Sequence, residues 1–177
     1  SAQRDRNLPV LYIIIAGDRG LAGGYNNNIF RSAMTVLRDN DLVIPIGKRA
    51  VEYYTHHSNI VTREFNSVEK FTSEESAKVA ETARNMFDEG KISAVTLIYT
   101  RFESMLSQSP DITYLLPLEK GRNRKGNAPE AEKTEGAQAL VEYEPNPEEV
   151  LAAVIPEYIS GVLYSSVAES YASELAA

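Results

Sequence analysis

The residues best placed to do chemistry lie in one glycine-rich turn, Gly17-Asp-Arg-Gly-Leu-Ala-Gly-Gly-Tyr-Asn26. It follows the apolar run of residues 10–15 and precedes the amphipathic run that begins at Ile29. Glycine lets a backbone turn sharply and pass close to another group, and amides at the entry to a helix attract anions. Asp18 and Arg19, at the end of a strand, are the best candidates for holding a small ligand. The established phosphate spacings are absent. Gly17 and Gly20 are separated by two residues, and Gly23 is not followed by a lysine and a hydroxyl residue. From pattern alone, a structural turn is favoured over a phosphate cradle.

Other chemistry is sparse. His56 and His57 are adjacent, so on a helix they diverge by about 100° and cannot chelate one ion as an i, i+4 pair would. The chain has no cysteine, hence no disulfide and no thiolate metal site. Its net charge of −7 argues against a nucleic-acid binder. No apolar run approaches the ~20 residues that span a bilayer. Residues 1–9 are polar, so no signal peptide is expected. No catalytic, cofactor-binding or metal-binding residue is assigned. The ten tyrosines read first as packing residues.

The elements that position the turn are readable in order. Residues 10–15 form an apolar, β-branched run suited to a strand buried on both faces. A helix is expected over 27–38, with Ile29, Ala33, Val36 and Leu37 on one side and an asparagine as its cap. Residues 41–47 read as a strand that Pro45 confines to an edge or an end. Residues 48–56 form a short helix, and 60–65 a weaker strand. Thr72 and Glu75 have capping-box spacing for a helix whose stripe is Val79, Ala80, Ala83, Met86 and Phe87, with Gly90 closing it. Residues 92–102 form a strand, 103–111 a loop, and 112–118 a strand that pairs back as a hairpin.

This alternation predicts an α/β fold: a Rossmann-like, mostly parallel sheet with helices on both faces and an antiparallel hairpin at one edge. Residues 119–138, polar and rich in Gly, Asn, Lys and Glu, read as a flexible surface loop. Its basic half, 120–125, could meet an acidic partner, but solvated charge answered by Glu130, Glu132 and Glu135 is the favoured reading. Residues 140–144 read as one more short strand. Asn146-Pro-Glu-Glu149 has the chemistry of a helix start. The helix then runs to the last residue, with Pro156 expected to kink or briefly interrupt it. Ile159, Val162, Leu163, Val167, Tyr171 and Leu175 form its apolar stripe, and Ala168, Ala172 and Ala176 offer a close-approach surface. With no stop signal, a long helix cut short is expected. The division is therefore a globular domain over 1–145 and the start of a long C-terminal helix over 146–177.

Four stretches carry a resemblance to one family. Gly17-Asp-Arg-Gly-Leu-Ala-Gly-Gly-Tyr-Asn26 resembles the Asp-Arg-Gly-Leu-x-Gly segment of the gamma subunit of F-type ATP synthase. Ser107-Gln-Ser-Pro110 through Leu115-Leu-Pro-Leu118 resembles that family's hairpin. Tyr143-Glu-Pro145 and Ala172-Ser-Glu-Leu-Ala-Ala177 resemble the approach to its last helix and the most recognisable part of it. The resemblance spans nearly the whole chain. It implies the globular domain of a rotor subunit, with most of the two long coiled-coil helices missing. Such a domain sits at the foot of the central stalk. It binds the epsilon subunit, rests on the c-ring and transmits torque to the alpha/beta hexamer in ATP synthesis coupled to proton transport. The resemblance further implies no catalytic site and no cofactor of its own, and a peripheral place on the cytoplasmic side of a bacterial membrane. The missing cysteine pair of plastid gamma subunits favours a bacterial form. The alternatives are a nucleotide- or phosphate-binding enzyme using the loop from Gly17 to Gly24, or a free-standing adaptor domain.

Overall fold

A computed structural model of the chain describes residues 7–20, 24–57, 59–118 and 147–177, with side chains throughout except at 147–152. The elements are β1 (Val10–Ile15), α1 (Tyr25–Met34), β2 (Leu42–Ile46), α2 (Lys48–Tyr54), α3 (Ser73–Asp88), β3 (Ala94–Ser104), β4 (Ser107–Leu116) and α4 (Pro147–Ala176). Gly23, the 119–138 loop, the 140–144 strand, Asn146 and the boundary at 145 lie outside the described residues.

The four strands form one sheet in the order β2-β1-β3-β4. β1 pairs in parallel with both β2 and β3, and β4 runs antiparallel at the far edge. This is the expected α/β architecture. β1 sends alternate side chains to opposite faces, and both sets are buried. Leu11, Ile13 and Ile15 join Ile44, Ile46 and Leu97 in a core with α3 and α4. Tyr12 and Ile14 join Val43 and Ile98 in a second core beneath α1 and α2. A strand buried on both sides requires the continuous apolar run that residues 10–15 provide.

α3 opens on the full capping box between Thr72 and Glu75. It closes on Gly90 at φ 71°, with Lys91 N–H donating to the Met86 carbonyl and Gly90 N–H to that of Phe87. Pro45 lies on the edge strand, as expected. Its strand neighbour Val43 turns both backbone groups outward, to Asn59 and Val61. Pro45 shares that outward parity and has no amide to give. The segment after α2 therefore touches the edge at Val43, skips Pro45, and touches again where Gly47 N–H donates to the Phe65 carbonyl. That gap leaves an isolated bridge at Ile60 where a strand over 60–65 is expected.

Three further expectations are corrected. α1 begins earlier than 27 and ends at Met34. Val36 and Leu37 still pack against the core, but in turns. The hairpin loop is only Met105 and Leu106. The turn-forming residues 107–111 pair along β3 instead, because Pro110 is tolerated on an edge strand. α4 continues through Pro156 without the brief interruption allowed for there, since one missing amide weighs less than the burial that Ile155 and Ile159 bring to it.

Candidate functional site

Parallel α/β sheets take their ligands where the strand order reverses, beyond the carboxyl ends of the strands. Here the chain leaves β1 toward β2 on one side and returns to β3 on the other, so the reversal falls between β1 and β3. The glycine loop leaves β1 at that point. β1 pairs with β3 as far as Ile14 and Ile98, and β3 runs on to Ser104. Beyond Ile98 the amides of Thr100 and Phe102, on the edge that β1 has left, need new acceptors.

α4 supplies them. Thr100 N–H donates to Ser170 Oγ at 3.3 Å, and Phe102 N–H donates to Glu169 Oε1 at 2.9 Å. One turn further, the Glu174 carboxylate meets the loop. Arg19 N–H donates to Oε1 at 2.9 Å, Arg19 Nε donates to the same oxygen at 3.3 Å, and Asp18 N–H points between the two oxygens at 3.2 and 3.3 Å. Glu174 is only 1% exposed. The buried Tyr25 hydroxyl, at the start of α1, donates to the Ser170 carbonyl at 2.8 Å. Burial pushes its pKa up to about 12, against a smaller lowering by Thr100 and with a further rise from the nearby Glu174 charge.

Asp18 faces the other way. Its carboxylate accepts from Val68 N–H at 2.9 Å, Lys48 N–H at 3.1 Å, Glu69 N–H at 3.3 Å and Ser67 Oγ at 2.9 Å. It thereby ties the loop to the start of α2 and to the turn at 67–69. The candidate ligand-binding pair is therefore spent on the protein itself: Asp18 brackets three backbone segments, and Arg19 holds Glu174. The asparagine expected as a helix cap has another task. α1 is entered through Gly24 at φ 82° with no side-chain cap. Asn26 instead spans the loop, accepting from Gly17 N–H at 2.8 Å and donating to the Arg19 carbonyl at 2.9 Å.

Gly17 is required by close approach. A Cβ there would lie 2.9 Å from Glu174 Cδ and 3.1 Å from Asn26 Oδ1. On its other side the loop bounds a cleft of about 390 Å³, walled by Asn27, Arg49, Glu52 and the stacked rings of Phe30 and Tyr53. Gly17, Asp18, Arg19 and Glu174 do not line this cleft, but Asn26, which braces their turn, does. His57 stacks on Tyr53, and among the described residues no cluster of His, Asp or Glu could hold a metal ion.

Periodicity contains a signal for Glu174 that residue type obscures. At 3.6 residues per turn, Glu174 lies about 20° from Leu163 around the helix, whereas Leu175 lies about 120° away. The expected stripe is thus corrected at its end. Ile159, Leu163 and Val167 are buried, Leu175 is 56% exposed, and Ser166, Ser170, Ser173 and Glu174 continue the buried face.

Fold and site together define a class: a doubly wound α/β domain whose ligand crevice is closed by a helix of the same chain. A family model described as ATP synthase matches residues 1–177, and the chain belongs to that family. Its curated relatives include ATP synthase gamma chains. That of Ruminococcus albus is 35% identical over 95% of this chain and 58% of its own length. That of Mycoplasmopsis pulmonis is 31% identical over 94% and 57%. The chain thus spans less than two thirds of the length of these relatives. Two solved structures share the fold. One, from the central stalk and c-ring of Tetrahymena thermophila mitochondrial ATP synthase, has a TM-score of 0.65 at 21% identity, covering 95% of this chain and 72% of its own. The other, from the rotor of the Euglena gracilis mitochondrial enzyme, has a TM-score of 0.63 at 17% identity, covering 96% and 63%.

Proposed function

We propose that this chain is the globular part of a central-stalk gamma subunit, a rotor element that carries torque between a membrane c-ring and a catalytic alpha/beta hexamer. In this reading residues 1–145 are the body and 146–177 begin the shaft. The observation that carries it is the union of α4 with the sheet. Apolar packing along Ile159, Leu163 and Val167 is followed by side-chain bonds to β3 and to the glycine loop. A helix so fixed turns with the domain beneath it, as a torque-bearing shaft requires. Family membership and relatives that are gamma chains support the reading.

The role needs no catalytic group and no cofactor in this chain; ATP chemistry belongs to the hexamer. The partners are the c-ring, the alpha and beta subunits, and the epsilon subunit at the foot of the stalk. The domain is peripheral, on the cytoplasmic side of a bacterial membrane. No helix among the described residues is long and apolar enough to cross a membrane. The phosphate-binding alternative is disfavoured by the loop amides of Asp18 and Arg19, which are taken by Glu174.

Calorimetric titration with the epsilon subunit of the same organism tests the proposal, with Mg-ATP as a separate titrant. Saturable 1:1 heat with epsilon and none with nucleotide is the expected result. Heat from nucleotide and none from epsilon would overturn it.

A further inference from the structure

We propose that the turn at Gly17, Asp18 and Arg19 is a carboxylate receptor whose ligand is Glu174 of the same chain. Beyond the half-buried Tyr171, charge recognition there fixes the last turn of α4 to the sheet. The inference concerns this chain's own contacts and stands independently of the rotor reading.

Three observations carry it. First, the apolar seam of α4 thins toward Ala176. Beyond Val167 the fully buried positions are Ser170, Ser173 and Glu174; Tyr171 is half-buried against the larger core, and the large apolar Leu175 faces solvent. Apolar packing there is therefore reduced to one half-buried ring.

Second, the turn has the parts of an anion site. Two successive backbone N–H groups and the Arg19 guanidinium converge on one carboxylate, an arrangement that stabilises an anion through fixed dipoles and one cation. Asn26 braces the turn from both sides. Gly17 offers no Cβ, and one would fall 2.9 Å from the carboxylate carbon.

Third, the carboxylate is buried. A carboxylate out of water is tolerated when its oxygens are bonded and a cation answers its charge. Oε1 receives two donors from Arg19 and a share of the third from Asp18. Removing the side chain would leave the part-buried amides of Asp18 and Arg19 facing a gap the size of a carboxylate. A free small carboxylate has the charge and shape to fill it.

The test uses this chain with Glu174→Ala and Glu174→Gln, sodium acetate as the probe, and sodium chloride at equal ionic strength as the control. Acetate stabilises proteins generally by exclusion, so its effect on Glu174→Ala is compared with that on Leu163→Ala, whose gap is apolar. Glu174→Ala is expected to lower the thermal midpoint by about 4–8 °C. Acetate should restore about 2 °C or more beyond its effect on Leu163→Ala, and saturably, as binding to the folded state requires. Glu174→Gln keeps the volume and one acceptor. It should remain folded, gain nothing specific from acetate, and shift the Asp18 and Arg19 amide protons upfield in NMR as a charged acceptor becomes neutral. Equal acetate effects on the two alanine variants would overturn the proposal. If Glu174→Ala does not fold, unmoved Asp18 and Arg19 amides in Glu174→Gln would overturn it equally.

Discussion

The two halves of α4 rest on one sheet by different chemistry. From Ile155 to Val167, with the half-buried Tyr171 as a last contact, the helix packs apolar side chains against α3 and the strand residues of the larger core. From Glu169 to Glu174 it offers oxygens to amides that the sheet and its loop leave unpaired. The change follows from where β1 ends. While β1 and β3 pair, their backbone groups satisfy each other and only side chains remain to be covered. Once β1 has turned away, β3 and the loop expose donors, and a buried donor without an acceptor costs about 1–3 kcal/mol. An apolar helix face there would leave those donors orphaned; a face of Ser and Glu satisfies them.

Substitutions that separate the halves fall in a definite order. Leu163→Ala should cost the most, about 3 kcal/mol, because Leu163 is fully buried in the core shared with α3. Its loss should show in urea unfolding as a lower midpoint that acetate raises only by its general, non-saturable effect. Glu174→Ala comes next, at about 2 kcal/mol for two orphaned amides, and alone of the series should gain saturably from a small carboxylate beyond the general effect. If Glu174→Ala proved costlier than Leu163→Ala, the ranking of apolar over polar attachment would be reversed.

Tyr25→Phe sharpens the contrast through pH. Folded Tyr25 keeps its proton to about pH 12, raised from the ordinary 10.0 chiefly by burial. Between these values the unfolded chain has released a proton that the folded chain retains. Its contribution is whole below pH 10 and is lost as pH rises through about 12. Tyr25→Phe should cost about 1 kcal/mol at neutral pH and make the alkaline loss of stability shallower, measured by urea midpoints from pH 9 to 11.5. An unchanged slope would show that Tyr25 does not hold its proton through the junction. The smallest effect belongs to Leu175→Ala. Being exposed, it should change stability by less than about 0.5 kcal/mol, and a loss above 1 kcal/mol would mean that the apolar stripe does run to the end of α4.

Much of this was legible in the chain. The run 10–15, alternating strands and helices, the Thr72 capping box, Gly90 and the edge position of Pro45 all follow from local chemistry. Local chemistry is set by neighbours in sequence, so composition and spacing report it. The corrected elements have non-local causes. The 60–65 segment fails as a strand because Pro45, some fifteen or more positions earlier, withholds an amide from it. Residues 107–111 look like a turn and pair as a strand because β3 lies alongside.

The candidate site divides in the same way. The sequence by itself marked the glycine loop, singled out Asp18 and Arg19, and determined that the chain turns sharply there into a helix. Only the tertiary structure decided what those residues hold. Asp18 is spent on amides some thirty and fifty positions away, and Arg19 on a carboxylate more than 150 positions away. Such pairings are chosen by which backbone donors the finished sheet leaves open, and no local pattern records that. Helical spacing alone put Glu174 on the buried face. That it should be buried at all follows from the amides waiting beneath it.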